Sequence, residues 1–250
     1  MSYIIATWIL APIWWPVSII RKLLTPQPQR ILIIEIAGIG DVVCSTNLFM
    51  QLRGRYPDAQ IDLVIDPIVI SLAPLLSMID NIIPFSYAKQ KGLLGRFRLL
   101  ALCARYDTGI SLNPSAAQLT GFCLAGMPRR LSVLPGPLNN SYRFLKPLLT
   151  SSATHMPGQF FIKTQAQLLT QLGLVGIEVG KWLPRSPRSN QAIECDSKAI
   201  QIGVLVSSGR ELKRLDSERM AEIISGLLAL KGERDIEIVL VGGPGDLAMA

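Results

Sequence analysis

The stretch that most constrains the fold is Arg30–Asp66, RILIIEIAGIGDVVCSTNLFMQLRGRYPDAQIDLVID. It reads as strand, glycine turn, helix, polar turn, strand. The near-continuous apolar run Ile31–Ile36 predicts a strand buried on both faces, as in a parallel sheet. Val42, Leu48, Phe49 and Leu52 recur at helical spacing over about Asp41–Arg55. Tyr56-Pro57-Asp58 ends that helix, and Ile61–Ile65 supplies the second strand. Such a unit demands an α/β architecture. It places Ala37-Gly38-Ile39-Gly40-Asp41 at the carboxyl end of the first strand, where open α/β sheets bind ligands.

Gly38 and Gly40 allow a tight turn and close backbone approach by a ligand. The helix behind them offers free N–H groups and a positive dipole end. The turn is a poor dinucleotide fingerprint, because its third glycine position is Val43. Asp66 ends the second strand at a tolerable distance for a ribose contact, but Asp41 would repel a pyrophosphate. A carboxylate at this point suits accepting a proton or holding a hydroxyl. The same residue type equally serves as a plain helix N-cap.

Further elements are predicted as a strand near Ile82–Phe85, a basic helix Leu93–Arg105, and a strand Thr108–Leu112. A small-residue helix Ala116–Ala125 ends at Gly126, and a strand Arg130–Val133 follows. Leu134–Thr154 is rich in Pro, Asn and Ser and reads as loop; Gln159–Leu172 reads as helix, stopped by Gly173. A second α/β pattern comprises strand Ile200–Val206, loop Ser207–Leu215, amphipathic helix Asp216–Lys231 and strand Ile236–Val241. Two strands and one helix do not cover both faces of a parallel sheet, so this second domain reads as incomplete. The expected division is residues 1–29 as an apolar segment and linker, 30–183 as one domain, 184–198 as linker and 199–250 as a partial domain. In the second domain the hydroxyls of Ser207 and Ser208 and the cations of Lys213 and Arg214 suit phosphate oxygens; a solvated basic loop is the plain alternative. Gly242 and Gly243 let a nucleotide lie against backbone, or simply turn the chain.

Ile4–Ile20 carries no charge, holds Pro12 and Pro16, and includes Trp8, Trp14 and Trp15, residues that favour a membrane interface. Arg21, Lys22 and Arg30 follow. The segment is expected to be a monotopic or borderline-spanning anchor with the remainder in the cytoplasm; the alternative is a helix packed on the globular body. With 25 Lys and Arg against 18 Asp and Glu, the net charge of +7 favours acidic partners. No long basic run with interleaved aromatics supports nucleic acid. Cys44, Cys103, Cys123 and Cys195 form no C-x-x-C pair and His155 is the only histidine, so no metal is expected and His155 reads as structural.

Four segments in order resemble a family. ILIIEIAGIGDVVCSTNLFMQLRGRYPDAQIDLVID is similar to the opening of the bacterial ADP-heptose:lipopolysaccharide heptosyltransferases, glycosyltransferase family 9. YDTGISLNPSAAQLTGFCLAGMPRRLSV, THMPGQFFIKTQAQLLTQLGL, and SSGRELKRLDSERMAEIISGLL with IEIVLVGGPGD resemble later family segments. The resemblance covers about residues 30–250 and implies a GT-B-type fold. That fold has two Rossmann-like domains, the second incomplete here, preceded by the apolar N-terminal helix. It further implies an inverting transfer of heptose from ADP-heptose to a lipopolysaccharide core acceptor, with no metal and no cofactor beyond the nucleotide sugar. By the same resemblance Asp41 matches the general base. Lys213 and Arg214 match the cations on the donor diphosphate, Ser207 and Ser208 line the phosphates, and Gly242 and Gly243 lie near the nucleoside. Gly38 and Gly40 fall on the acceptor side. From charge alone Arg53, Arg55, Arg96, Arg98, Arg129 and Arg130 are candidates to meet acceptor phosphates. The implied partners are a nucleotide sugar, a lipid-linked acidic saccharide and the inner-membrane surface, at its cytoplasmic face. The chain departs from the family pattern at Leu215, at Pro157-Gly158, and in having no Asp-x-Gly-x-x-His-like motif. A truncated, non-catalytic membrane-tethered relative and a Rossmann-type oxidoreductase are the rival readings.

Overall fold

The structure is a computed structural model that describes residues 2–86, 92–174, 199–205, 215–229 and 235–242. The chain divides into two compact units, residues 1–186 and 187–250. In the first unit β1 (Arg30–Glu35) lies between β2 (Gln60–Ile65) and β4 (Thr108–Ser111), parallel to both. β3 (Asn81–Pro84), β5 (Arg129–Pro135) and β6 (Ser151–His155) complete a parallel sheet of order β3-β2-β1-β4-β5-β6. The chain therefore builds outward from β1 to β3, returns to the other side of β1, and builds outward again to β6. The expected α/β parallel architecture is met, and its switch point falls between β1 and β4.

The apolar run of β1 divides between two cores. Ile31 and Ile33 pack with Val42, Phe49 and Leu52 of α3 (Ile39–Arg55); Leu32 and Ile34 pack with Leu99 of α4 (Gly92–Cys103) and Phe122 of α5 (Ala116–Leu124). All four β1 side chains are fully buried, each contributing about 1.5–3 kcal/mol by removal from water. Gly126 closes α5 in the left-handed conformation (φ +60°), as its position in the sequence predicts. Asp107 fixes the amino end of β1: its Oδ2 accepts the backbone N–H groups of Gln29 (3.0 Å) and Arg30 (2.8 Å).

Leu134–Thr154 is not a loop. It holds α6 (Asn140–Leu145), a short 3-10 turn at Lys146–Leu148, and β6. Asn139, Asn140 and Pro147, which suggested loop, sit at helix starts: the Asn139 side chain caps α6 by accepting the Tyr142 N–H at 3.0 Å. β6 reads as polar because it is an edge strand with only Ala153 buried. α7 (Phe161–Thr170) then packs across β5 and β6 and against α3. Pro67–Leu75, after β2, forms a 3-10 helix that the sequence did not reveal.

The apolar N-terminal segment forms two helices, α1 (Ser2–Ile9) and α2 (Ala11–Leu24), bent by 67° at Leu10. Pro12 sits in the first turn of α2, where a missing N–H is harmless, but it cannot continue α1. Among the described residues no single helix is long and apolar enough to cross a bilayer; only the bent pair taken together reaches that length and composition. Arg21 ties α2 down: its guanidinium donates to Ala125 O (2.8 Å) at the end of α5 and to Tyr106 O (2.6 Å).

In the second unit β7 (Ala199–Leu205) and β8 (Asp235–Val241) pair in parallel, with α8 (Ser217–Ala229) between them in sequence. α8 has no buried residue. The linker expected at 184–198 lies outside the described residues, as does most of the loop expected at 207–215.

Gly109 of β4 has no room for a side chain. A Cβ there would meet Met127 Sδ at 2.8 Å and the Phe122 ring at 2.9 Å. Gly109→Ala is expected to destabilise the protein by about 1–3 kcal/mol through overpacking, read as a lower urea midpoint with unchanged slope.

Candidate active site at the switch point

The carboxyl ends of β1, β4, β5 and β6 surround a cavity of about 300 Å³. Glu35 comes from β1, Asp41 from the first turn of α3, Asn113 and Pro114 from the turn after β4, Pro135 from β5 and His155 from β6. Tyr142 of α6 and Phe161 of α7 close the sides. The Tyr142 hydroxyl donates to Pro114 O at 2.7 Å, which fixes α6 against the β4 turn.

Asp41 is exposed and is the third residue of α3, not its N-cap, which is Gly38. Its Oδ2 accepts the Gly38 N–H at 3.1 Å, a contact that aims the carboxylate back across the turn. The other carboxylate oxygen has no hydrogen-bond partner among the described residues. Gly38 has φ −73°, which any residue adopts, so the glycines are not needed for backbone strain. They leave space: a Cβ on Gly40 would meet nothing, and one on Gly38 would touch Asp41 Oδ2 at 3.6 Å. The front of the carboxylate is thereby open to a ligand.

Glu35 is the second acid, and the sequence reading missed it. It is fully buried beneath the turn, and burial pushes its carboxyl up from 4.5 to about 8, with the nearby Asp41 charge adding to the rise. Ser45 Oγ lies 3.2 Å from Glu35 Oε2 and donates either to it or to Asp41 O (2.9 Å), while accepting from Gln165 Nε2 (2.7 Å). Glu35 Oε1 is buried and has no hydrogen-bond partner among the described residues. The one signal in the sequence was an acid closing an otherwise apolar strand. His155, read as structural, lines the same cavity; its Nδ1 is 2.9 Å from Thr164 Oγ1 and its ring meets Phe161 edge-on at 5.3 Å.

The other candidates divide. Arg129 and Arg130 begin β5, so they lie at the opposite edge of the sheet from Asp41, roughly 20 Å away at about 3.3 Å per strand residue. Both are engaged there. Arg129 donates to Thr25 O (2.7 Å) and lies 3.6 Å from Asp107. Arg130 is buried, donates to Leu148 O (2.8 Å) and Met127 O, and lies 5.2 Å from the Trp14 ring. Burial lowers the Arg130 pKa from its usual value. Placing them on the acceptor side of Asp41 is therefore corrected: they are struts of the fold. Arg53 is likewise held by Ala59 O (2.8 Å) and Asp80 (2.6 Å), and Asp66 caps the 3-10 helix by accepting the Ile68 N–H. Ser207, Ser208, Lys213, Arg214 and Gly243 lie outside the described residues; Gly242 follows β8 and is exposed. Among the described residues no group of three or more His, Cys, Asp or Glu side chains is placed to hold a metal ion.

The first unit is thus a Rossmann-like α/β domain with a carboxylate beside a cavity at its switch point. No family model and no curated protein sequence matches the chain. Solved structures do. A family 9 glycosyl transferase from Veillonella parvula aligns at TM-score 0.64 with 21% identity, over 88% of this chain and 64% of that one. Escherichia coli heptosyltransferase WaaC with ADP aligns at TM-score 0.59 with 16% identity, over 88% of this chain and 69% of that one. E. coli ADP-heptose lipopolysaccharide heptosyltransferase II aligns at 0.55 with 20% identity, over 88% and 66%. The chain thus has the fold of family 9 glycosyltransferases and spans about two thirds of the length of these structures.

Because Glu35 is protonated in the folded state over a range where the unfolded chain has lost that proton, its contribution to stability falls as pH rises from 4.5 towards about 8. Glu35→Gln is expected to flatten the melting temperature between these limits. A wild-type profile no steeper than that of Glu35→Gln would show that Glu35 is charged in the fold.

Proposed function

We propose that the chain belongs to an inverting glycosyltransferase and that Asp41 is its general base. The observation that carries this is the open carboxylate at the switch point of a fold shared with family 9 enzymes. An acceptor hydroxyl entering the cavity gives its proton to Asp41. Its oxygen forms the new bond to the anomeric carbon as the bond to the nucleotide diphosphate breaks, and the electron pair leaves with the diphosphate. Attack from the side opposite the leaving group inverts the centre. Two ionised carboxylates in one cavity would oppose each other. Burial keeps Glu35 largely protonated at neutral pH, so the negative charge that receives the proton resides on Asp41.

The donor is a nucleotide sugar. Its support is the sequence resemblance of residues 207–214 and 242–243, together with the WaaC structure that holds ADP. In this reading Lys213 and Arg214 offset charge on the diphosphate, Ser207 and Ser208 contact the phosphates, and Gly242 and Gly243 lie near the nucleoside. ADP-heptose as donor and an acidic lipopolysaccharide core saccharide as acceptor follow from the same resemblance.

Asp41→Asn keeps an acceptor for the Gly38 N–H, so the fold and donor affinity should persist while turnover falls about 10²–10⁴-fold. Release of ADP from ADP-heptose in the presence of core acceptor measures this, and retained turnover removes the base assignment. Lys213→Ala should weaken donor binding by about ten- to a hundredfold in calorimetry, the loss of one charge-assisted contact. Unchanged affinity would take Lys213 out of the donor site.

A further inference from the structure

The N-terminal helix pair turns its more apolar side away from the protein. Its inward stripe, Ile4, Thr7, Ala11, Trp14, Ser18 and Arg21, recurs at helical spacing and includes three polar residues. The side turned away from the protein is apolar: Ile5, Ile9, Ile13, Trp15, Ile20 and Leu23 are all more than half exposed. A helix that meets water shows the reverse pattern. The inward polar groups have protein partners. Thr7 Oγ1 donates to Tyr3 O (2.9 Å), Ser18 Oγ to Trp15 O (2.8 Å), and Arg21 to the carbonyls closing α5. The outward groups have none to find. Between the two helices a groove of about 640 Å³ is walled by Trp8, Pro12, Trp15, Pro16, Ile19 and Ile20.

The flanks of this face carry one sign of charge. α1, α2, α4 and α6 contain no Asp or Glu. Lys22 of α2, Arg98 of α4, and Arg143 and Lys146 in and just after α6, which touches α1, are exposed, and Arg96 lies 4.2 Å from the Tyr3 ring of α1. Leu93, Leu94 and Phe97 of α4 are exposed apolar side chains as well. Apolar side chains ringed by exposed cations complement a bilayer with anionic headgroups.

We infer that α1 and α2 form a monotopic docking face, whose outward half enters an anionic bilayer while the inward half stays on the domain. A transmembrane path is incompatible with the contacts of Ile4, Trp14 and Arg21, because a spanning segment faces lipid all round and these residues face the protein core. The 67° bend breaks the straight path that a single spanning helix would take. α6 connects this face to the cavity. Phe144 accepts the Trp8 indole N–H at its carbonyl (3.1 Å) on one side, and Tyr142 lines the Asp41 cavity on the other. Docking therefore brings the rim of the cavity to the headgroup layer.

The test is vesicle binding by the full chain. Phosphatidylcholine vesicles with about 30% phosphatidylglycerol should bind the protein more strongly than phosphatidylcholine alone, and added salt should weaken binding. Tryptophan emission should be quenched more by bromine near the headgroups than by bromine at the chain ends, as for a helix about 5–10 Å deep. Ile13→Asp with Ile20→Asp, both at exposed positions, should lower partition at least about tenfold with an unchanged melting temperature. Absence of vesicle binding, or equal binding by the double variant, overturns the inference. Strongest quenching at the chain ends overturns it in favour of a spanning segment. A stable dimer in solution that the double variant dissolves overturns it in favour of a second copy as the occupant.

Discussion

β1 has hydrogen-bonded neighbours on both sides and buried side chains on both faces, and the rest of the domain is arranged around that constraint. A strand so placed must be apolar along its length, and Ile31–Ile34 satisfies this. It must also have its ends fixed, since a one-residue slip would exchange the two cores. At the amino end Asp107 does this by accepting from Gln29 and Arg30 while bonding Thr108 Oγ1. At the carboxyl end the chain enters α3, and the turn is held by the Asp41–Gly38 contact. The carboxylate proposed to take a proton is thus also part of what positions the first helix. The same residue serves cap-like and chemical roles without conflict, because one oxygen is committed to Gly38 and the other faces the opening.

Burial separates the two acids of the cavity more effectively than any sequence rule. Asp41 stands in the first turn of a helix, exposed, where the helix end favours negative charge. Glu35 stands one turn of chain earlier, without exposure, with a single hydroxyl offered to one oxygen and nothing to the other. An ionised carboxylate there would lack the donors it needs, so the neutral form prevails up to about pH 8. The basic excess of the chain is divided in a similar way. Arg21, Arg53, Arg129 and Arg130 are spent on backbone carbonyls and on Asp80 and Asp107. The net charge therefore overstates how many cations are free to meet a ligand.

The βαβ opening was legible because its signals are local. A buried run, a turn and a 3.6-residue period each occupy a few consecutive positions, and strand and helix limits fall within two residues of expectation. Asp41 was legible for the same reason. The remainder of the cavity was not, because Asn113, Tyr142, His155 and Phe161 come from separate strands and helices that only the sheet order brings together. His155 had no partner at any recognisable spacing; its partner, Thr164, is on the next helix. Arg129 and Arg130 misled because a pair of cations looks alike at either end of a strand. Which end it occupies follows from strand direction, and in a parallel sheet the amino end is remote from the ligand edge. β6 was hidden by its position, since an edge strand need not be apolar.

The N-terminal pair shows how far a hydropathy argument reaches. Its apolar content distinguishes it from ordinary surface helices, but content alone does not tell a spanning helix from one lying along a surface. The decisive information is which residues are turned inward. If the pair were an added core element, its most apolar stripe would face α5, and Thr7, Ser18 and Arg21 would face water. In the observed orientation Ile4 and Trp14 enter the core alongside Thr7, Ser18 and Arg21; Arg21 meets the carbonyl at the end of α5, and Gly126 leaves Val17 just enough room to approach. Of the inward polar residues Arg21 bonds the domain, at the carbonyls of Ala125 and Tyr106, whereas Thr7 and Ser18 bond carbonyls of their own helices. The outward side is apolar throughout, and an anionic lipid surface is the surrounding in which that exposure carries the least cost.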